Sequence, residues 1–311
     1  MNAVLLCPGQ GAQRVGMGKD LAQRFPAARE VFEAVDQALG VPLSRLAFEG
    51  PESELTLTHN AQPAILSHTL AVHAVVRRAL HPVAAEGHSL GEYSAYVTAD
   101  SLTAEDAARL VRRRGELMLE AGQRRPGAMA AVLGLASDAV VEACREAGAG
   151  GEVAVAANLN APDQTVISGD PAAVERAGAN CKAAGAKRVM PLKVSGAFHS
   201  PLMQPARVGL EAELQRVAFS APAFPVIANA SAGPVRDAAT ARRLLGEQLT
   251  APVRWVEGMR EAVKLAGPGV TFVEMGPGNV LAGLLKRIAP EAASVSLGTA
   301  DEVQRFLERA A

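Results

Sequence analysis

The segment Gly87-His88-Ser89-Leu90-Gly91 constrains this chain more than any other. Gly-x-Ser-x-Gly marks a sharp strand-to-helix turn that lifts a serine oxygen clear of the backbone as a nucleophile. It demands a strand before it and a helix after it, and so an α/β sheet with Ser89 at a strand's carboxyl end. Val83–Ala85 supplies a short strand and Glu92–Thr98 the helix whose N-terminus points at Ser89. With 29 glycines in the chain the pattern alone is weak, and it needs partners.

At 311 residues and 49% hydrophobic, the chain can bury a large core as one domain, or as one domain with a smaller insertion. Thirty-one Lys and Arg against 32 Asp and Glu leave a net charge of −1, which provides no global field for nucleic acid or an anionic membrane. Neither is expected as a partner. Cys7, Cys144 and Cys181 are too few and too far apart for a disulfide framework or a zinc site, and they fit a reducing cytoplasm. The N-terminus lacks the basic and apolar regions of a signal peptide, and no apolar run reaches the length of a membrane span. Nothing in the pattern calls for more than a monomer.

Val4–Cys7 predicts a buried strand running into the turn Pro8-Gly9-Gln10-Gly11. Residues 26–39 and 61–80 read as helices, the second starting at Asn60 with Pro63 in its first turn. Between 127 and 195 the rhythm changes to strand (128–135), helix (138–147), strands (153–158, 164–168), helix (171–184) and strand (187–194). This βαββαβ order is that of a ferredoxin-like subdomain. It predicts an insertion at 127–195 in a large α/β domain formed by 1–126 and 196–311, closed by a strand at Phe272–Met275 and a helix at Val280–Ile288.

A serine needs a base, and histidine is the usual one. His88 adjoins Ser89 and should point away from it. His59, His68, His73 and His81 fall in or beside helices, where packing or solvation accounts for them. His199 instead follows a strand end and precedes Ser200-Pro201, a helix-capping pair, which places it in a loop where α/β sites form. Arg114 lies on the apolar stripe of residues 107–121, so its guanidinium faces inward and needs an anionic partner. That partner is either an internal carboxylate such as Glu92 or a substrate carboxylate. Gly9-Gln10-Gly11 is not a dinucleotide fingerprint, because Arg14 stands where the third glycine would be. An N–H of this loop could instead join the Leu90 N–H as an oxyanion hole. No metal-ligand spacing is present.

Taken together, Pro8-Gly9-Gln10-Gly11-Ala12-Gln13, Gly87 to Ala95, Arg114-Gly115, Gly196-Ala197-Phe198-His199-Ser200 and Glu274-Met275-Gly276-Pro277-Gly278 strongly resemble the malonyl-CoA:acyl carrier protein transacylase family, in order and spacing across almost the whole chain. The resemblance implies an α/β-hydrolase-like large domain with the ferredoxin-like insertion. It implies Ser89 as nucleophile, His199 as base, Arg114 as the malonyl carboxylate clamp, and the N–H groups of Gln10 and Leu90 as the oxyanion hole. It also implies that the Gln248 carbonyl orients the histidine, that Phe198 favours malonyl over branched acyl groups, and that Lys187 and Arg188 meet an acidic carrier protein. The activity implied is ping-pong transfer of malonyl from malonyl-CoA to the phosphopantetheine thiol of an acyl carrier protein, with no cofactor of its own, in fatty-acid or polyketide synthesis. Two positions depart from the family pattern: Asn279 stands where some relatives are basic, and Glu86 where an apolar residue is common. A thioesterase or esterase would share Ser89 and His199 but have no use for Arg114. An idle carrier-docking module would leave all three unexplained.

Overall fold

The computed structural model describes residues 1–194 and 196–310. Its strands are β1 (Asn2–Cys7), β2 (His81–Gly87), β3 (Ala128–Leu133), β4 (Ala154–Ala161), β5 (Gln164–Gly169), β6 (Arg188–Pro191), β7 (Val226–Ile227), β8 (Pro234–Val235), β9 (Thr271–Met275) and β10 (Ala293–Leu297). Six form one sheet in the order β10-β9-β1-β2-β7-β8, parallel except for the last pair. Residues 3–7 of β1 are buried throughout, as expected of a parallel strand covered on both faces. Its side chains alternate between two cores. Leu5 and Cys7 face the layer containing helices Thr58–Val76, Gly91–Thr98 and Ala104–Arg124, while Val4 and Leu6 face Trp255 and Met259 of helix Trp255–Ala266 and Leu281 and Leu285 of helix Val280–Ile288.

Strand β2 is longer than its sequence suggests. His81, Pro82 and Glu86 are poor strand formers, yet the segment lies between β1 and β7 and takes its conformation from pairing with both. Pro82, which has no N–H to donate, falls where the register slips opposite Ala3 and Val4. The helix expected from Asn60 also begins earlier, at Thr58, which leaves Pro63 inside it. Proline cannot donate to the carbonyl four residues back, that of His59, and Arg112 Nη1 donates to that oxygen instead at 3.2 Å. This helix ends at Val76, and residues 77–79 continue as a short 3-10 turn.

The other four strands form a second sheet, ordered β4-β5-β3-β6, with every neighbouring pair antiparallel. Helices Ser137–Ala147 and Pro171–Ala183 cover one face around Val132, Val140, Ile167 and Val174. Met129, Ala131 and Val166, on the opposite face, join the core of the large sheet. Strand β6 stops at Pro191, short of the expected 194. Among the links that tie the sheets together, Arg125 Nη2 pairs with Asp170 Oδ2 at 2.8 Å, and β4 meets the large unit through Leu159 N–H to Val253 O at 2.9 Å. All three cysteines are free and buried. Among the described residues no helix is long and apolar enough to cross a membrane.

The turn after β2 works only if the helix start lies directly on the end of β1. A Cβ on Gly91 would overlap the Cys7 carbonyl oxygen, which is backbone and cannot move aside. Gly91→Ala should therefore cost about 3 kcal/mol or more. Gly283→Ala, on an exposed helical face with nothing within 4 Å, should gain up to about 1 kcal/mol. Urea midpoints of the two variants check this, and a Gly91→Ala protein as stable as the wild type would contradict the close approach.

Candidate active site

The turn between β2 and helix Gly91–Thr98 places Ser89 at φ +53°, a left-handed conformation that non-glycine residues seldom adopt. Such strain costs of the order of 1–3 kcal/mol and persists where the surroundings over-determine it. Here the Ser89 N–H donates to Asn229 Oδ1 at 2.7 Å, and the Ser89 carbonyl accepts from Gln248 Nε2 at 3.0 Å. Neither Gly87 nor Gly91 has room for a side chain. The result is a serine oxygen held out from the sheet.

Ser89 Oγ lies 2.8 Å from His199 Nε2. His199 Nδ1 is 2.9 Å from the Gln248 carbonyl oxygen, which can only accept. Nδ1 must therefore carry the proton, and Nε2 presents its lone pair to the serine hydroxyl. Burial, followed by the charge on Arg114, lowers the His199 pKa to about 3, so the ring is neutral at working pH. No carboxylate bonds to it among the described residues, which makes this a Ser–His dyad braced by a carbonyl. Ser200 caps the turn that follows, its Oγ accepting from the Leu202 N–H at 3.3 Å.

Arg114, 1% exposed, projects from helix Ala104–Arg124 to the same point. Its Nη2 donates to Ser89 Oγ and to Gln248 Oε1, both at 2.9 Å, and its Nη1 donates to Gln62 Oε1 at 2.8 Å. Its guanidinium sits 5.8 Å from the centre of the Tyr93 ring, and its Nε has no partner. The internal ion pair with Glu92 is not formed. Glu92 Oε2 accepts instead from the Asn229 N–H at 3.0 Å and from Gln248 Nε2 at 2.7 Å. Arg114 is thus a buried cation held by neutral acceptors, and burial pulls its pKa down.

The first loop completes the site. Gly9 lies against the His88 carbonyl with no room for a Cβ, which brings Gln10 beside the turn. Because the Ser89 N–H is committed to Asn229, the turn's free donor next to the Ser89 side chain is the Leu90 N–H. Neither it nor the Gln10 N–H has an acceptor among the described residues. Two unpaired N–H groups flanking a nucleophile can stabilise an oxyanion. His88 points away as expected, its Nε2 lying 2.8 Å from Asn160 Oδ1.

These groups open into a cavity of about 830 Å³ between the two sheets, lined by Gln10, Ser89, Leu90, Arg114, Phe198 and His199 from the large unit and by Met129, Asn158 and Val166 from the small one. Lys187 and Arg188 are exposed and do not line it, whereas Lys193 does. The sequence reading missed Gln62, Asn229 and Lys193, and it offered Glu92 only as a partner for Arg114. Asn229 follows the two-residue strand β7, too short to register as a strand whose end forms a site. Glu86, the departure before the turn, is 1% exposed with its Oε2 unpaired, and burial raises its pKa well above the usual carboxylate range. No group of three or more His, Cys, Asp or Glu among the described residues could hold a metal ion.

Residues 4–304 match the acyl transferase domain family. The chain is 43% identical over 305 residues to the malonyl CoA-acyl carrier protein transacylase of Bacillus subtilis, covering 97% of this chain and 95% of the relative. It superposes on the crystal structure of an acyl carrier protein S-malonyltransferase from Vibrio cholerae with a TM-score of 0.92 and 40% identity, covering 98% of this chain and 99% of that one. A type II PKS acyl-carrier protein in complex with its malonyl-transacylase matches with a TM-score of 0.93 and 40% identity, over 99% of both chains.

The low pKa of His199 fixes the sign of the pH response. Its neutral form, the one able to accept a proton, is lost only as pH falls toward 3, so if His199 serves as base, acylation of Ser89 by an uncharged ester such as p-nitrophenyl acetate should show no limb near pH 6.5. Stopped-flow rates between pH 5 and 8 test this, and a fall centred near 6.5 would contradict it.

Proposed function

The chain belongs to the acyl transferase domain family, and from that premise we propose that it transfers a malonyl group from malonyl-CoA to the phosphopantetheine thiol of an acyl carrier protein through an ester on Ser89. It is an acyltransferase. Ser89 Oγ attacks the thioester carbonyl as its proton passes to His199 Nε2, and the oxyanion takes hydrogen bonds from the Gln10 and Leu90 N–H groups. Collapse expels the CoA sulfur, which takes from His199 the proton that Ser89 gave up. The carrier thiol then gives its proton to His199 and attacks the ester, and the departing Ser89 oxygen takes that proton back. Each half-reaction balances within these residues, so the chemistry requires no metal and no cofactor beyond the phosphopantetheine of the partner.

The observation that carries the reading is Arg114, a buried guanidinium without a carboxylate partner, 2.9 Å from the nucleophile. Its Nη2, now bonded to Ser89 Oγ at the cavity, suits an incoming carboxylate. A malonyl carboxylate arriving there takes over the hydrogen bond now spent on Ser89 Oγ and releases the oxygen to react. A thioesterase or esterase for neutral acyl groups has no use for such a cation. Phe198, at the cavity wall beside His199, crowds an α-methyl group, a discrimination worth about 1–3 kcal/mol. Lys187 and Arg188 on the exterior, with Lys193 at the cavity, form a basic approach for an acidic carrier.

The finer assignment of the fold is an α/β-hydrolase-like domain of residues 1–126 and 196–311 carrying a ferredoxin-like insertion at 127–195, which the order β4-β5-β3-β6 supports. The reading places a monomeric enzyme in the cytoplasm, serving fatty-acid or polyketide synthesis.

Intact-mass analysis after mixing with malonyl-CoA or acetyl-CoA tests the proposal. The wild type should carry one malonyl group, and Ser89→Ala none. Arg114→Ala should lose malonyl loading by about 10²-fold, the worth of a buried charge-assisted pair, while its acetyl loading changes far less. Equal loading of both acyl groups by the wild type would favour the hydrolase reading. Separately, Phe198→Ala should raise methylmalonyl loading relative to malonyl by about tenfold or more, and an unchanged ratio would remove Phe198 from selectivity.

A further inference from the structure

We propose that Glu92 is a positioning residue for the acyl transfer, a buried acceptor that holds Asn229 by its backbone N–H and Gln248 by its side chain, the two residues whose side-chain amides flank the Ser89 peptide. This rests on the reading of Ser89 as the nucleophile. Glu92 is fully buried, touches no cation, and lies one helical turn beyond Ser89. A carboxyl group in such a place destabilises the fold unless its hydrogen bonds compensate, and all of its bonding runs through one oxygen. Glu92 Oε2 accepts from the Asn229 N–H at 3.0 Å and from Gln248 Nε2 at 2.7 Å, while Oε1 has no partner.

The side chains of those two residues bracket the nucleophile. Asn229 Oδ1 accepts the Ser89 N–H at 2.7 Å, and Asn229 Nδ2 donates to the Gly87 carbonyl at 2.8 Å. Gln248 Nε2 donates to the Ser89 carbonyl at 3.0 Å. Both peptide groups of a residue in left-handed conformation are therefore held by side chains of two residues that Glu92 Oε2 anchors, Asn229 through its backbone N–H and Gln248 through its side-chain amide. The same contact sets the Gln248 amide. Glu92 Oε2 takes a hydrogen from it, so the amide nitrogen faces Glu92 and Oε1 faces Arg114 Nη2 at 2.9 Å. One acceptor thus fixes the nucleophile's backbone and one anchor of the clamp.

What the brace needs is an acceptor at the right reach rather than a negative charge. Burial pushes the Glu92 pKa up to about 7, and a proton on the unpartnered Oε1 leaves both bonds to Oε2 intact. Two substitutions separate reach from charge. Glu92→Asp keeps the charge but withdraws the carboxyl group by about one carbon–carbon bond, ~1.5 Å. Glu92→Gln keeps the reach and loses the charge, its N–H₂ taking the place of the unpartnered oxygen.

The readout is the rate of Ser89 acylation by malonyl-CoA and by p-nitrophenyl acetate, which has no carboxylate for Arg114, in variants shown to be folded by their circular dichroism and melting temperature. Glu92→Asp should slow both reactions tenfold or more, in similar proportion, with KM for malonyl-CoA within threefold of the wild type. Glu92→Gln should slow them less than threefold. Should Glu92→Asp fail to fold, Asn229→Ala removes one arm of the brace without touching the carboxyl group and should slow both acylations alike. The proposal is overturned if Glu92→Asp, or Asn229→Ala in its place, reacts at the wild-type rate, if Glu92→Gln is the slower of the two, or if only the KM for malonyl-CoA rises. A Ser89→Ala protein that still loads malonyl would overturn the underlying reading of the nucleophile instead.

Discussion

The site is organised around a cation that the protein buries without a direct ion pair. Arg114 loses its hydration, and in return it donates hydrogen bonds to Gln62, Gln248 and Ser89, lies near the face of Tyr93 and feels the Glu92 carboxyl group at longer range. Had Glu92 paired with it directly, the molecule would be easier to stabilise and the proposed clamp would already be filled. Instead the carboxyl group stands one residue away, with Gln248 between them. That spacing keeps the guanidinium oriented while leaving it able to meet a carboxylate from outside.

Gln248 is where the parts converge. Its carbonyl fixes the His199 tautomer, its amide oxygen anchors Arg114, and its amide nitrogen holds the Ser89 carbonyl. His199, Arg114 and Ser89, the proposed base, clamp and nucleophile, are thus referred to one residue at the end of helix Ala238–Glu247. The Asn229 side chain performs the corresponding task at the end of β7, across the turn. The second sheet contributes the opposite wall of the cavity, which lets a small reacting centre sit inside a volume large enough for an extended thioester.

The parts of this arrangement legible in the sequence are those carried by local pattern. The Gly-x-Ser-x-Gly turn declares itself because its two glycines are sterically obligatory. Arg114 stands out as a charge on an apolar stripe, and His199 as a histidine after a strand and before a capping pair. The βαββαβ rhythm was clear because its elements are short and regular. What stayed hidden depends on contacts between distant segments. Strand β2 contains Pro82 and Glu86 and is a strand because β1 and β7 pair with it. Pro63 sits inside a helix because Arg112, from another helix, takes the carbonyl it leaves free. Gln62 and Asn229 look like ordinary polar residues until the fold brings them to Arg114 and Ser89.

The most direct test of this account is a crystal structure of the malonyl-loaded protein. The malonyl carboxylate should lie within hydrogen-bond distance of Arg114, with the Arg114 bond to the Ser89 oxygen released and the ester carbonyl oxygen facing the Gln10 and Leu90 N–H groups. A carboxylate directed into solvent, with Arg114 still bonded to the Ser89 oxygen, would contradict the claim that the unpaired guanidinium selects the acyl group.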